Sequence, residues 1–204
     1  MTRRLLLADR RGATIIEFAI VAPVMIMLLM GLGDLSFQIY AQAILNGAVQ
    51  KAGRDSSIQG GANNAPAIDA AVIAMVGSIM KSPTQSCAAT ATTPIWCSVR
   101  QSYNSFSAIG KPEPFVDGNG NGKLDPGECF TDLNGNGIWD ASNPGTSGQG
   151  GADDVALYTM TITYPRIFPV AGLLGWPSTQ TITSSTLLKN QPYATQATAK
   201  TICI

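Results

Sequence analysis

The sequence predicts an α+β chain: an N-terminal transmembrane helix continuing into a long amphipathic helix, and a small antiparallel β-sheet carrying an acidic, glycine-rich insert. Three observations predict it. No charged side chain occurs between Phe18 and Gly33. An apolar stripe at helical spacing follows Asp34, and three later segments are rich in β-branched and aromatic residues and bounded by proline or glycine. At 204 residues the chain has room for one medium domain plus an anchor.

The first element is the anchor. From Ala13 to Gly33 there are 21 residues, about what an α-helix needs to cross roughly 30 Å of hydrocarbon. Arg3, Arg4, Arg10 and Arg11 precede it against Asp9 alone, and this positive-inside bias puts the N-terminus in the cytoplasm and everything after Asp34 outside. A cleaved secretory signal is the alternative, but its apolar core is shorter and ends at an A-x-A-like site. Pro23 lacks a backbone donor and should bend or loosen the helix. Glu17 puts a carboxylate near the start of the span. A charge there costs a few kcal/mol, about 3 on insertion scales, so it needs either a partner or the interface. Snorkelling toward Arg10 and Arg11 is one solution.

The run Gly12-Ala13-Thr14-Ile15-Ile16-Glu17-Phe18 resembles the type IV prepilin processing site, with glycine before the cut and glutamate fifth after it. The longer stretch from Gly12 to Gly60 resembles the TadE-like minor pilins of tight-adherence pili. The resemblance implies that a prepilin peptidase cuts after Gly12. Ala13 then becomes the new N-terminus, and Glu17 meets the N-terminal amine of a neighbouring pilin or pseudopilin subunit. An ammonium and a carboxylate attract strongly in low dielectric, while either alone is costly, so the pairing would also set helix register. Residues 1–12 are then a leader, 13–35 the membrane helix held in inner-membrane lipid, and 36–204 an extracytoplasmic domain.

Beyond Asp34, Phe37, Tyr40, Ala41, Ile44 and Ala48 form one apolar stripe, and Gly60-Gly61 is expected to stop the helix. Small residues at Ala41, Ala43, Gly47, Ala48, Ala52 and Gly53 permit close helix approach, within the domain or between subunits. A second helix follows Asn64-Ala65-Pro66, with Ile68, Val72, Met75, Val76 and Ile79 on one side, and ends at Ser82-Pro83. The strands are Ile95 to Tyr103, Val155 to Tyr164 and Gln180 to Leu188. The resemblance implies that the long helix packs on this sheet in a pilin-like arrangement. Residues 166–177 are an apolar connection, read as a sheet-covering loop, a subunit contact or a membrane-edge contact, in that order. The stretch Thr186 to Tyr193 resembles the last-strand ending of TadE-like proteins, with Gln191 where an acid is common.

The insert, residues 113–154, carries eight acids against Lys123 alone. Asp117-Gly118-Asn119-Gly120-Asn121-Gly122-Lys123-Leu124-Asp125-Pro126-Gly127-Glu128 fits the calcium-loop pattern D-x-[DN]-x-[DN]-G-x5-E at every defined position. Calcium takes six to eight oxygens. Asp117, Asn119, Asn121, Asp125 and Glu128 would give side-chain oxygens, and Lys123 its carbonyl. A second run, Asp132 to Asp140, repeats the first nine positions 15 residues on, through Asp132, Asn134, Asn136, the Ile138 carbonyl and Asp140. Its twelfth position is Asn143, so it is weaker or borrows a carboxylate, with Asp153 and Asp154 as candidates. Pro112, Pro114 and Pro126 speak against the helical flanks of a full EF-hand. The pair is similar to the tandem calcium loops of dockerins and thrombospondin type 3 repeats. One or two Ca2+ ions would act as a structural staple, and the alternative is a solvated turn region that binds nothing.

Cys87, Cys97, Cys129 and Cys203 all lie beyond the span without a C-x-x-C, which suits two disulfides outside the cytoplasm. Three pairings are possible. Cys87 with Cys97 and Cys129 with Cys203 is preferred, because a local pair costs the least chain closure. The chain has no histidine, which removes Ser-His-Asp and Cys-His nucleophile pairs and histidine-ligated zinc. Basic and acidic residues balance at 13 each, so there is no basic field for nucleic acid. The reading is a processed minor pilin or pseudopilin supporting pilus assembly and adhesion, not an enzyme. The alternatives are an uncleaved membrane-anchored calcium-binding protein and an anchored hydrolase using Asp153 and Asp154.

Overall fold

The computed structural model describes residues 11–58, 64–81, 83–88, 93–192 and 198–204, except for the side chains of residues 11–13. Residues 1–10, Gly60-Gly61, Ser82 and Tyr193 lie outside the described residues, so the expectations placed on them are not addressed by it.

Helix α1 runs Arg11–Ser57, unbroken through Pro23, and is about 70 Å long at 1.5 Å per residue. Its two halves face different surroundings. Thr14–Ser57 is the one helix among the described residues long and apolar enough to cross a membrane, and none of its most apolar window is buried. In the second half Ala41, Leu45, Ala48, Val49 and Ala52 are buried. They meet Ile68, Val72 and Val76 of α2 (Ala65–Val76) and Tyr158, Met160, Ile162, Tyr164 and Ile182 of the sheet.

The expected stripe is therefore rotated. Tyr40 is exposed, Phe37 and Ile44 are half-buried, and Leu45 and Val49 take the centre. The reason is that α1 has two partners, the sheet and α2, and its buried face lies between them. Of the small residues, Ala41, Ala48 and Ala52 face the core, while Ala43 and Gly47 face outward. Gly53 permits close approach, since a Cβ there would displace the side chains of Leu188 and Thr186.

The main sheet has five strands: β1 (Thr84–Gln85), β2 (Ile95–Tyr103), β4 (Thr146–Ser147), β5 (Val155–Pro165) and β6 (Thr179–Lys189). Its order is β1-β2-β5-β6, with β4 on the same free edge of β2 as β1. β5 pairs antiparallel with β2 from Ile95↔Thr163 to Tyr103↔Val155, and with β6 from Val155↔Lys189 to Pro165↔Thr179. Side chains alternate along a strand, so Tyr158, Met160, Ile162 and Tyr164 of β5 all enter the core. On the other face Thr161 and Thr163 hydrogen-bond Thr183 and Thr181 at 3.2 and 2.9 Å.

The sheet is mixed, not purely antiparallel, because β1 runs parallel to β2. The Cys87–Cys97 disulfide lies next to this pairing and holds the incoming segment alongside β2. A separate two-stranded sheet joins β3 (Cys129–Asp132) of the insert to β7 (Lys200–Cys203) near the C-terminus, with Cys129 opposite Cys203 and bonded to it.

One polar cluster ties α2 to the sheet. Asp69 accepts hydrogen bonds from Arg100 at 2.7 and 3.1 Å, from Ser98 at 2.7 Å and from Tyr158 at 2.6 Å. The guanidinium also lies over the Tyr158 ring, 4.4 Å from its centroid. Burial works to raise the Asp69 carboxyl, but these donors outweigh it and hold it below the ordinary value, while burial and Asp69 together push the Tyr158 hydroxyl well up.

Candidate functional site

Two regions carry the residues that the sequence singled out. The first is the bare half of α1. Gly12 and Ala13 stand in its first turn, and Glu17 is exposed a turn further on. No hydrogen bond or ion pair reaches Glu17 from the described residues. Its neighbours Ile15, Ile16, Phe18 and Ile20 are 63 to 72% exposed, an apolar surface this large being a contact surface rather than a solvated one. The carboxylate thus sits in an apolar strip that the described residues do not cover.

The second region is the insert, whose backbone turns twice in the same way. No α-helix occurs between β2 and β5 among the described residues, so the loops have no helical flanks. In the first loop Asp117 accepts hydrogen bonds from the N–H groups of Gly120 at 2.6 Å and Gly122 at 2.7 Å. In the second, Asp132 accepts from Gly135 at 2.7 Å and Gly137 at 2.9 Å. Gly122 and Gly137, the sixth residues of the two loops, have φ of 75° and 78°, the left-handed region that favours glycine. The Gly122 N–H, aided by those of Gly120 and Asn121, holds the Asp117 carboxyl below the ordinary range.

The ninth-position acids also match. The amides of Asn119 and Asn121 both donate to Asp125 Oδ2, at 2.8 and 2.6 Å. Those of Asn134 and Asn136 donate to Asp140 Oδ2, at 2.6 and 2.9 Å. Each loop therefore brings two expected ligand side chains to one oxygen of a third. Among the described residues no group of three or more acidic, cysteine or histidine side chains is gathered as for a metal. Each loop mixes acids with asparagines, a donor set of hard oxygens suited to calcium rather than to softer metals.

The twelfth-position carboxylate shows what the sequence reading missed. Glu128 accepts from the second and ninth N–H groups of the first loop, Gly118 at 2.8 Å and Asp125 at 3.0 Å. In the second loop the same two positions, Leu133 and Asp140, donate to Glu113 Oε1 and Oε2 at 2.7 and 3.2 Å. Glu113 thus does for the second loop what Glu128 does for the first, from a place upstream of both. It is fully buried, its N–H bonds the Asp140 carbonyl at 2.9 Å, and the Trp139 indole donates to its carbonyl at 2.9 Å.

The other candidates stand elsewhere. Asp153 pairs with Lys189 at 3.0 Å, Asp154 accepts from Gly151 at 2.7 Å, and both precede β5 rather than lying in a strand. Asn143 caps the turn at Gly145. Nothing in the linear spacing pointed to Glu113. The available signal was an isolated glutamate between two prolines, Pro112 and Pro114.

A groove of about 960 Å³ lies between α2 and β2. Its Asp69, Ser98 and Arg100 are already engaged in the cluster described above.

In comparisons with known proteins, the model of the TadE-like protein family matches residues 12–54. This is the bare half of α1 and most of its buried half, and it agrees with the resemblance carried by the N-terminal stretch. No curated protein and no solved structure matched.

Proposed function

We propose, from the TadE-like match of residues 12–54, that this chain is a minor pilin or pseudopilin of a tight-adherence pilus. A prepilin peptidase cuts it after Gly12. The helix from Ala13 then stays in inner-membrane lipid with its N-terminus on the cytoplasmic side. Glu17 pairs with the N-terminal amine of a neighbouring pilin or pseudopilin subunit, and the domain of residues 36–204 supports assembly and adhesion rather than catalysis.

The observation that carries this reading is the exposed Glu17, without an ion-pair partner among the described residues, on an apolar helix that those residues leave uncovered. In hydrocarbon that acid requires a cation, and a new amine one turn away in a staggered neighbour provides it. N-terminal sequencing of the membrane-extracted protein tests the reading. It predicts a start at Ala13, whereas a retained Met1 leaves an uncleaved calcium-binding anchor. Glu17→Gln should then abolish incorporation into fibres without changing the fold of the outer domain.

The insert supports a calcium role in the same reading, with one ion per loop. Asp117, Asn119, Asn121, the Lys123 carbonyl, Asp125 and Glu128 would hold the first. Asp132, Asn134, Asn136, the Ile138 carbonyl, Asp140 and Glu113 would hold the second. A buried carboxylate such as Glu113 is costly without a countercharge, and a divalent cation provides one. Thermal melts with millimolar calcium and with chelator test this, since binding to the native state alone raises Tm. An unchanged Tm removes the metal.

A further inference from the structure

Residues 166–177 project from the sheet at the level where α1 would leave the hydrocarbon. Three contacts fix that level. Arg166 forms an ion pair with Asp34, the first charge after the apolar run. Phe168 lies against Gly33, where a Cβ would come within 2.8 Å of its ring. The short helix α3 (Val170–Leu173) also packs beside α1. Ala171 is buried at this junction, but Ile167, Leu173, Leu174 and Trp176 are 54, 73, 56 and 61% exposed. The turn that presents them is ordered, with Leu174 and Trp176 N–H groups bonded back to Ala171 at 3.2 and 2.8 Å. Lys81 lies beside Ile167 around a shallow groove that also includes Phe37.

We propose that this segment is a second membrane contact, in which Leu173, Leu174 and Trp176 enter the headgroup region of the leaflet from which α1 emerges. The contact rests on the spanning role of α1 proposed above. If Ala13 to Gly33 crosses the hydrocarbon, Asp34 stands at its outer edge, and whatever is clamped to Gly33 and Asp34 stands there too. Tryptophan and leucine beside a lysine are the side chains that this zone favours, the ring at the headgroup level and the Lys81 cation toward lipid phosphate. The patch is continuous with the apolar face of α1, so lipid that covers the helix covers the patch as well. A single helix leaves a domain free to rotate and tilt. A second contact, off the helix axis, fixes the domain's orientation to the bilayer.

The test uses the full chain in nanodiscs of zwitterionic and anionic lipid. Trp176 emission is read as the difference between the wild type and Trp176→Phe. The proposal predicts quenching by lipids brominated near the headgroup and a several-fold lower response to aqueous iodide than in the detergent-free unfolded chain. Leu173→Ser with Leu174→Ser should restore iodide access while both disulfides remain intact. A chain that enters the disc with Trp176 open to iodide overturns the contact and leaves the span standing. Protection found only in discs that hold two copies also overturns it, in favour of a subunit contact. A chain that washes off the discs sinks the spanning helix and this contact together.

Discussion

The body buries mainly apolar side chains, the insert mainly polar ones. In the body, Leu45, Val49, Val72, Val76, Met160 and Ile162 are fully hidden between α1, α2 and the sheet. Between residues 113 and 154, Phe130 and Ala152 are the buried apolar side chains, against Glu113, Asp132, Asn143, Gln149 and Asp154 among the polar ones. Apolar burial stabilises by roughly 25 cal/mol per Å² without any outside help, whereas an intramolecular hydrogen bond contributes a net of only about 1 kcal/mol. The body can therefore stand by itself. The insert depends on cross-links: the Cys129–Cys203 bridge, the β3–β7 ladder, and the cation proposed for each loop.

The sharpest way to break this contrast is to damage one region and read the other. Leu45→Ala leaves a cavity at the α1–sheet contact and should cost about 2 to 5 kcal/mol. Denaturant unfolding followed by far-UV circular dichroism should show the whole domain melting earlier. If only the insert loosened, the contrast would fail. Replacing Cys129 and Cys203 by serine should cost about 2 to 4 kcal/mol, localised to the insert. Limited proteolysis should then cut between residues 113 and 154 while leaving β5 and β6 protected.

Glu113→Gln comes next. Glutamine can accept from one of the Leu133 and Asp140 N–H groups but presents an NH2 to the other, an expected loss of about 1 to 3 kcal/mol for an unsatisfied buried donor. Hydrogen exchange at those two amides should speed up, and calorimetry should lose one calcium equivalent while the first loop keeps its own. An unaltered stoichiometry would detach Glu113 from the second loop.

The smallest effect is on pH. The Asp69 carboxyl is held below the ordinary aspartate value in the fold. Its contribution is therefore present above the unfolded value, about 3.9, and is lost as pH falls through the lowered folded value. Asp117 is shifted in the same direction in the insert, so acid should weaken both regions. The urea midpoint of Asp69→Asn should fall less steeply than that of the wild type in this acid window, and equal slopes would show that the cluster carries no linkage.

Much of the body was legible because its periodicities are strong. The β-branched runs placed β2, β5 and β6 within a residue or two, and Ile68, Val72 and Val76 marked the inner face of α2. The stripe on α1 was displaced because a helix covered from two sides buries the angle between its partners, and Tyr40 and Leu45 are both apolar enough to be chosen. β1 and β4 are two residues each and owe their existence to β2's free edge, so they have no pattern of their own. In the insert, the ligand spacing is a local property and could be read. Glu113 could not, because a carboxylate that serves a loop 20 residues away is placed by tertiary contacts alone.

The Cys129–Cys203 bridge has a consequence for the order of events. Its partners are 74 residues apart, against 10 for Cys87 and Cys97. If the domain is exported as proposed above, the local ring can close early, while Cys129 waits as a free thiol until Cys203, beyond β5 and β6, has followed. During that interval it can be captured by the wrong sulfur. A thiol–disulfide catalyst would then govern the yield of the correctly joined form, and the bridge that tethers the acidic loops would be the later of the two disulfides to close.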